Sequence, residues 1–182
     1  MKVKAPVSVA MLLALFCLSA VAQDQRGQPS AKSQDRITRE VRHELLMLPY
    51  FGVFDNIAYR VDGDTVTLMG SVVRPSLKSD AENSVKRIEG VEHVNNQIDV
   101  LPPSSMDDQL RLKLFRSIYG FAGLQKYELG VQKPIRIIVK NGHVSLEGVV
   151  DSQADKDMVG LRAKTVPGSF TVDNNLQVTE SK

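Results

Sequence analysis

Residues Asp62–Pro102 and Lys140–Glu180 align at a constant offset of 78 without a gap and share ten identities. These are Val66/Val144, Leu68/Leu146, Gly70/Gly148, Val72/Val150, Lys78/Lys156, Lys86/Lys164, Gly90/Gly168, Val94/Val172, Asn96/Asn174 and Val100/Val178. Ordinary residue usage would give about two or three matches over that length by chance. The chain is therefore an internal duplication, and its fold must be one that a small unit can adopt and then repeat.

Each copy carries the same order of periodic segments. In the first, Ile37, Val41, Leu45 and Leu48 mark one face of a helix that Pro49 ends. Ile57, Tyr59 and Val61 alternate as a strand, Asp62-Gly63-Asp64 turns the chain, and Val66, Leu68 and Val72 alternate on the return. Pro75 opens a second helix with Ala81, Val85 and Ile88 inward and Gly90 at its end, and Val94, Ile98 and Val100 form a last strand. The second copy repeats this with Leu110, Leu114 and Ile118, then Ile135, Ile137 and Val139. The hairpin dipeptide Asn141-Gly142 follows, then Val144, Leu146 and Val150, Val159, Ala163 and Val166, and Val172, Leu176 and Val178. The predicted fold class is α+β: two tandem α-β-β-α-β modules, each a small three-stranded mixed sheet with two helices on one face.

What lies outside the repeat reads differently. Residues 1–22 combine Lys2 and Lys4, an apolar run from Val9 to Leu18 and the small-residue site Ala20-Val21-Ala22. That is the pattern of a secretory signal cleaved after Ala22, and its apolar run is short for a membrane span. Residues 23–34 have no large apolar side chain and are expected to form a disordered tether. The expected division is thus signal 1–22, tether 23–34, first module 35–102, linker 103–106 and second module 107–179. Removing the signal takes away the single cysteine and two of the 23 basic residues, leaving 21 against 21 acidic groups. A neutral chain lacks the long-range field that draws proteins to nucleic acid, and without cysteine it has neither a disulfide nor a thiol nucleophile.

The run Val139–Val150 (VKNGHVSLEGVV), the helix end Val166–Gly168 (VPG) and Val172–Val178 (VDNNLQV) resemble the BON (bacterial OsmY and nodulation) family. The first copy carries the weaker counterparts VDGDTVTLMGSVV and IEGVEHVNNQIDV. The resemblance implies a non-catalytic periplasmic binding module, proposed in that family to bind phospholipid. It also implies roles in osmotic stress, envelope integrity or chaperone-like protection. Lipoprotein members carry an anchoring cysteine, which has no counterpart at the expected mature N-terminus.

The search for chemistry gives little. His43, His93 and His143 have no metal-ligand spacing and read as solvated surface residues. Asp62 and Asp64 flank a hairpin glycine without the twelve-residue ligand set of a calcium loop. No nucleophile elbow, dinucleotide fingerprint or phosphate loop occurs. No enzyme, cofactor or metal is therefore expected. Asn96 and Asn174 recur at equivalent places, where a bulge or a side chain bonded to backbone is the simplest account.

The copies differ most in their first helix. Beside its core face, the second copy carries an extra apolar stripe, Leu112, Phe115 and Tyr119, bordered by Arg111 and Arg116. Two uses fit such a stripe: packing on the first module, or meeting a partner. For the second use, Arg111, Leu112, Phe115, Arg116 and Tyr119 are the candidate site. Their partner would be an anionic phospholipid or membrane surface, or an envelope protein bound in a chaperone-like or scaffolding role. The cluster Tyr50–Phe54 is expected to be a loop capping the core, and Gly120–Lys133 the most mobile connection.

Overall fold

A computed structural model describes residues 31–130 and 132–179. The expected signal, residues 1–22, and tether residues 23–30 lie outside the described residues. The first helix, α1, spans Ala31–Leu46, so residues 31–34 of the expected tether are helical. Hydrogen bonding holds this first turn. The Gln34 amide donates to the Val61 carbonyl at 3.1 Å, and the Thr38 hydroxyl to the Gln34 carbonyl, so polar side chains hold this turn without apolar burial.

The rest of the first module is β1 (Asn56–Asp62), β2 (Thr65–Val72), α2 (Pro75–Lys86), β3 (His93–Asn96) and β4 (Asp99–Val100). The second repeats it as α3 (Ser105–Tyr119), a 3-10 helix (Ala122–Tyr127), β5 (Ile135–Lys140), β6 (His143–Val150), α4 (Gln153–Lys164), β7 (Thr171–Asn174) and β8 (Gln177–Val178). In the first sheet β2 is central. β1 pairs with it antiparallel, Tyr59 opposite Leu68. β3 and β4 run parallel to it, Val66 opposite Val94 and Val72 opposite Val100. These two are one strand interrupted at Gln97 and Ile98, so the expected three-stranded mixed sheet is present. The second sheet has the same order and the same interruption.

The repeated residues occupy positions where only certain side chains work. Asn96 donates to the Lys78 carbonyl at 2.8 Å while its own side-chain oxygen accepts from the Ile98 amide. Asn174 donates likewise to the Lys156 carbonyl at 2.7 Å and accepts from Leu176. Each asparagine thus stitches helix to sheet at the break in the strand. Gly70 and Gly148 have φ of 113° and 112°. A β-carbon there would stand 2.2 Å from the Asn56 carbonyl oxygen and 1.9 Å from that of Pro134. Nothing larger than glycine fits. The hairpin at Asn141-Gly142 has positive φ at both central residues, as its dipeptide predicts.

Each sheet buries one face under its two helices. Ile37, Val41, Leu45, Val66, Leu68, Leu77, Ala81 and Val85 fill the first core, and Leu110, Leu114, Ile118, Ile137, Leu146, Val159 and Ala163 the second. Burying each large side chain contributes about 1.5–3 kcal/mol. Asp107 adds a polar tie at the start of α3, where its carboxylate accepts from the amides of Asn141 and Gly142.

The connection Gly120–Lys133, expected to be the most mobile, is anchored at the 3-10 helix. Leu124 and Tyr127 are buried. The Tyr127 hydroxyl donates to Asp155 and accepts from the Asp151 amide, both at 2.8 Å. The sequence offered Tyr127 without its partner, because Asp155 lies 28 residues away. Lys126 pairs with the same carboxylate at 2.9 Å. Its hydrogen bond, with those from Tyr127 and Ser152, holds Asp155 below the usual carboxylate range. A group whose folded pKa is depressed stabilises the fold fully above its unfolded pKa, and loses that effect as pH falls through the folded value. Asp155→Asn is therefore expected to lower the denaturation midpoint at pH 7 and to lose most of that effect by about pH 2. Paired urea titrations at the two pH values measure this.

Candidate functional site

The segment between α1 and β1 is not a cap on its own core alone. Tyr50, at a left-handed φ of 64°, turns the chain after Pro49 and sends residues 51–55 against the second module. Phe51 packs on the first core, but Val53 and Phe54 pack on the second. β5 lies at the edge of its sheet, and there the Ile137 amide donates to the Val53 carbonyl at 2.8 Å. Arg136 donates to the Gly52 carbonyl at 2.7 Å, and the Gln132 amide to the Leu46 carbonyl at 2.9 Å. Asp55 holds the segment in shape, one oxygen accepting from the Gly52 amide and the other from Val73. An open sheet edge is thus closed by a loop of the other module.

This junction reaches the candidate stripe on α3 at Phe115. Tyr119 is buried and donates to the Ile135 carbonyl at 2.6 Å. Desolvation raises its phenol pKa well above normal, so it stays a neutral donor. Phe115 is half-buried, with its ring 4.9 Å from that of Tyr119 and edge-on to Phe54 of the first module at 6.4 Å. Arg111 is also buried, donating to the Val139 carbonyl and paired with Asp108. Three of the five candidate residues are thus buried or half-buried: Tyr119 and Arg111 bond within their own module, and Phe115 meets Phe54 of the first. Only Leu112 and Arg116 remain on the surface. A helical wheel displays stripes but not what covers them, which is why both uses fitted the sequence.

The outward face of α3 carries a different set. Met106, Gln109, Leu112, Lys113 and Arg116 are exposed, Met106 at 80%. Beside them Phe170, also 80% exposed, lies over Gly142 with its ring 5.9 Å from His143. Met106, Lys113, Pro167 and Phe170 border a groove of about 320 Å³. The repeat supplies an internal control. Position 170 corresponds at the 78-residue offset to Glu92. Matching the buried faces Ile37/Val41/Leu45 and Leu110/Leu114/Ile118 puts Met106 against Ser33 and Lys113 against Glu40. The same register puts Gln109 against Arg36 and Leu112 against Arg39, so the first module is polar throughout this face and acidic only opposite Lys113 and Phe170; the fold does not require Met106 or Phe170. Sequence reasoning passed over Phe170, although its mismatch with Glu92 was a readable signal.

His43, His93 and His143 are all exposed, and no group of three or more His, Cys, Asp or Glu side chains among the described residues could hold a metal. No described helix is long and apolar enough to cross a membrane. If Phe54 and Phe115 join the modules, their contact should be measurable in a double-mutant cycle. Phe54→Ala and Phe115→Ala, alone and together, are expected to give a coupling of about 0.5–1.5 kcal/mol in denaturant unfolding. Strict additivity would place the rings outside a working interface.

Comparison with known proteins agrees with the duplicated architecture. The family model described as "BON domain" matches residues 33–102 and 126–180. The chain is 30% identical to Osmotically-inducible protein Y of Escherichia coli (strain K12) over 135 residues, which is 67% of this chain and 61% of that protein. The match therefore spans less than two thirds of that relative. Among solved structures, CdsD, a structural protein of the type III secretion system of Chlamydia trachomatis, aligns at 13% identity over 80% of this chain and 94% of its own. Its TM-score is 0.28, too low to carry an argument. A second structure of CdsD, covering its C-terminal domain, aligns at 11% identity over 78% of this chain and 96% of its own, again with a TM-score of 0.28. With both halves matched by the family model and the same α-β-β-α-β order in each, the chain belongs to the BON domain family.

Proposed function

We propose that this protein is an exported, non-catalytic envelope protein of the periplasm that docks on anionic phospholipid and supports osmotic-stress tolerance or envelope integrity. The observation that carries the reading is the exposed pair Met106 and Phe170 beside Lys113 and Arg116, at positions where the first module is polar or acidic. The osmotic role is suggested by the name of the Escherichia coli relative, and export by the character of residues 1–22.

The mechanism is interfacial adsorption without turnover. Phe170 and Met106 enter the headgroup boundary, where each large apolar side chain removed from water contributes about 1.5–3 kcal/mol. Lys113 and Arg116 meet lipid phosphates, each contributing about 1 kcal/mol near an anionic surface. The chain is close to neutral, so this attraction is local and is screened within about 8 Å at physiological salt. Such a docking is weak, reversible and salt-sensitive.

Co-sedimentation with vesicles tests this. The wild type should bind phosphatidylglycerol-containing vesicles, ignore phosphatidylcholine alone, and release as salt rises. Phe170→Glu, which installs the first module's residue at an exposed position, should weaken binding at least about tenfold while the protein stays folded. A folded Phe170→Glu variant that sediments like the wild type would overturn the reading. Salt-resistant capture of unfolded polypeptide by the same face would replace it with a chaperone-like role.

A further inference from the structure

A second concavity, of about 330 Å³, opens where α1, the 51–55 segment and β5 meet, away from the face just discussed. Arg136 stands in its wall and is only 9% exposed. Its partners are all neutral: the Gly52 carbonyl at 2.7 Å, the Gln132 side-chain oxygen at 3.1 Å and the face of the Phe51 ring at 4.5 Å. Among the described residues no carboxylate pairs with it. Asp55 is occupied by the amides of Gly52 and Val73. Glu147, opposite Arg136 in the strand ladder, accepts from Ser145 and Asn175 instead.

Arg111 shows how this chain treats a structural arginine: equally buried, it has Asp108 at its side. Burying a cation with no carboxylate bonded to it is unfavourable: Asp55 acts on Arg136 only at longer range, and desolvation outweighs it, holding the Arg136 pKa below its ordinary value. The module fold does not demand this residue, since Ala58 occupies the same place in the first copy. Arg42, exposed and without an ion pair among the described residues, lines the same cleft. The remaining wall includes Leu45, Leu46 and Ile57, and no acidic side chain. Two arginines beside Leu45, Leu46, Phe51 and Ile57, with Asn56 and Tyr59 the other polar lining, match an anion that carries a hydrocarbon body. Arginine's fork geometry favours phosphate in particular.

We propose that the cleft between the modules binds a phosphate group borne on a short apolar chain. The phosphate lies between Arg42 and Arg136, and the chain lies along Leu45, Leu46, Phe51 and Ile57. The site is separate from the α3 face and does not depend on the vesicle-docking reading. The phosphate belongs either to a single-chain lipid or to a free phosphate ion, and the probes below separate these sources.

The test is an NMR titration of the full protein with hexyl phosphate, inorganic phosphate and hexanol in parallel. Hexyl phosphate should give saturable shifts at Arg42, Phe51, Ile57 and Arg136. Inorganic phosphate should bind about tenfold more weakly, and hexanol not measurably. Arg42→Gln, at an exposed position that leaves the fold intact, should weaken hexyl phosphate about tenfold. Arg136→Lys, which keeps the charge but loses the fork, should also weaken it. Phe170→Glu should change nothing here, so failure of this site and failure of vesicle docking are distinguishable. No saturable shift around Arg136, or shifts that survive Arg42→Gln, would overturn the proposal. Equal binding of inorganic phosphate would overturn its apolar half.

Discussion

A strand at the edge of a sheet presents unpaired amides, and on β5 the Ile137 amide meets the Val53 carbonyl of the other module at 2.8 Å. Much else follows from that closure. The 51–55 segment must cross to reach β5, and it carries Phe54 onto Phe115 and Phe51 beneath Arg136. Arg136 then becomes buried between modules, with the cleft beside it. Covering one side of α3 also leaves its other side, with Met106, Lys113 and Arg116, as the face turned to solvent. Modules of this size bury a modest share of their surface alone, which favours such mutual packing.

Duplication makes the chain its own comparison. Positions that agree between the copies, such as Gly70/Gly148 and Asn96/Asn174, are explained by close backbone approach and by side-chain bonds from strand to helix. Positions that disagree are not fixed by what the two modules share, though some, such as Leu77 and Asp155, serve the packing of one module. Phe170 against Glu92 and Arg136 against Ala58 are the clearest, and each sits at a surface or cleft suited to binding. Both proposed sites thus lie where the two copies depart from each other.

The sequence was most legible where structure is local and repeated. Helical and strand periodicity placed Ile37, Val41, Leu45, Leu110, Leu114 and Ile118 in the cores, and Asn141-Gly142 in the hairpin it forms. It was least legible where contacts are distant in the chain. Arg111 looked like a rim cation because Val139, its backbone partner, is 28 residues away. Tyr119 looked like part of an open stripe because its hydroxyl partner is a carbonyl on β5. The Tyr50–Phe54 cluster read as a loop, which it is, but its second-module contacts arise from packing that no periodicity encodes. The start of α1 at Ala31 escaped notice because polar side chains, not apolar spacing, hold that turn.

The two BON modules form one unit through the β5 edge, where Ile137 meets Val53. Amide hydrogen exchange at Ile137 tests it most directly, because that amide points away from its own sheet toward Val53. Protection at Ile137 should be comparable with that of the amides inside the β5–β6 ladder. Exchange at the rate of a free sheet edge, with the rest of the second module protected, would contradict it.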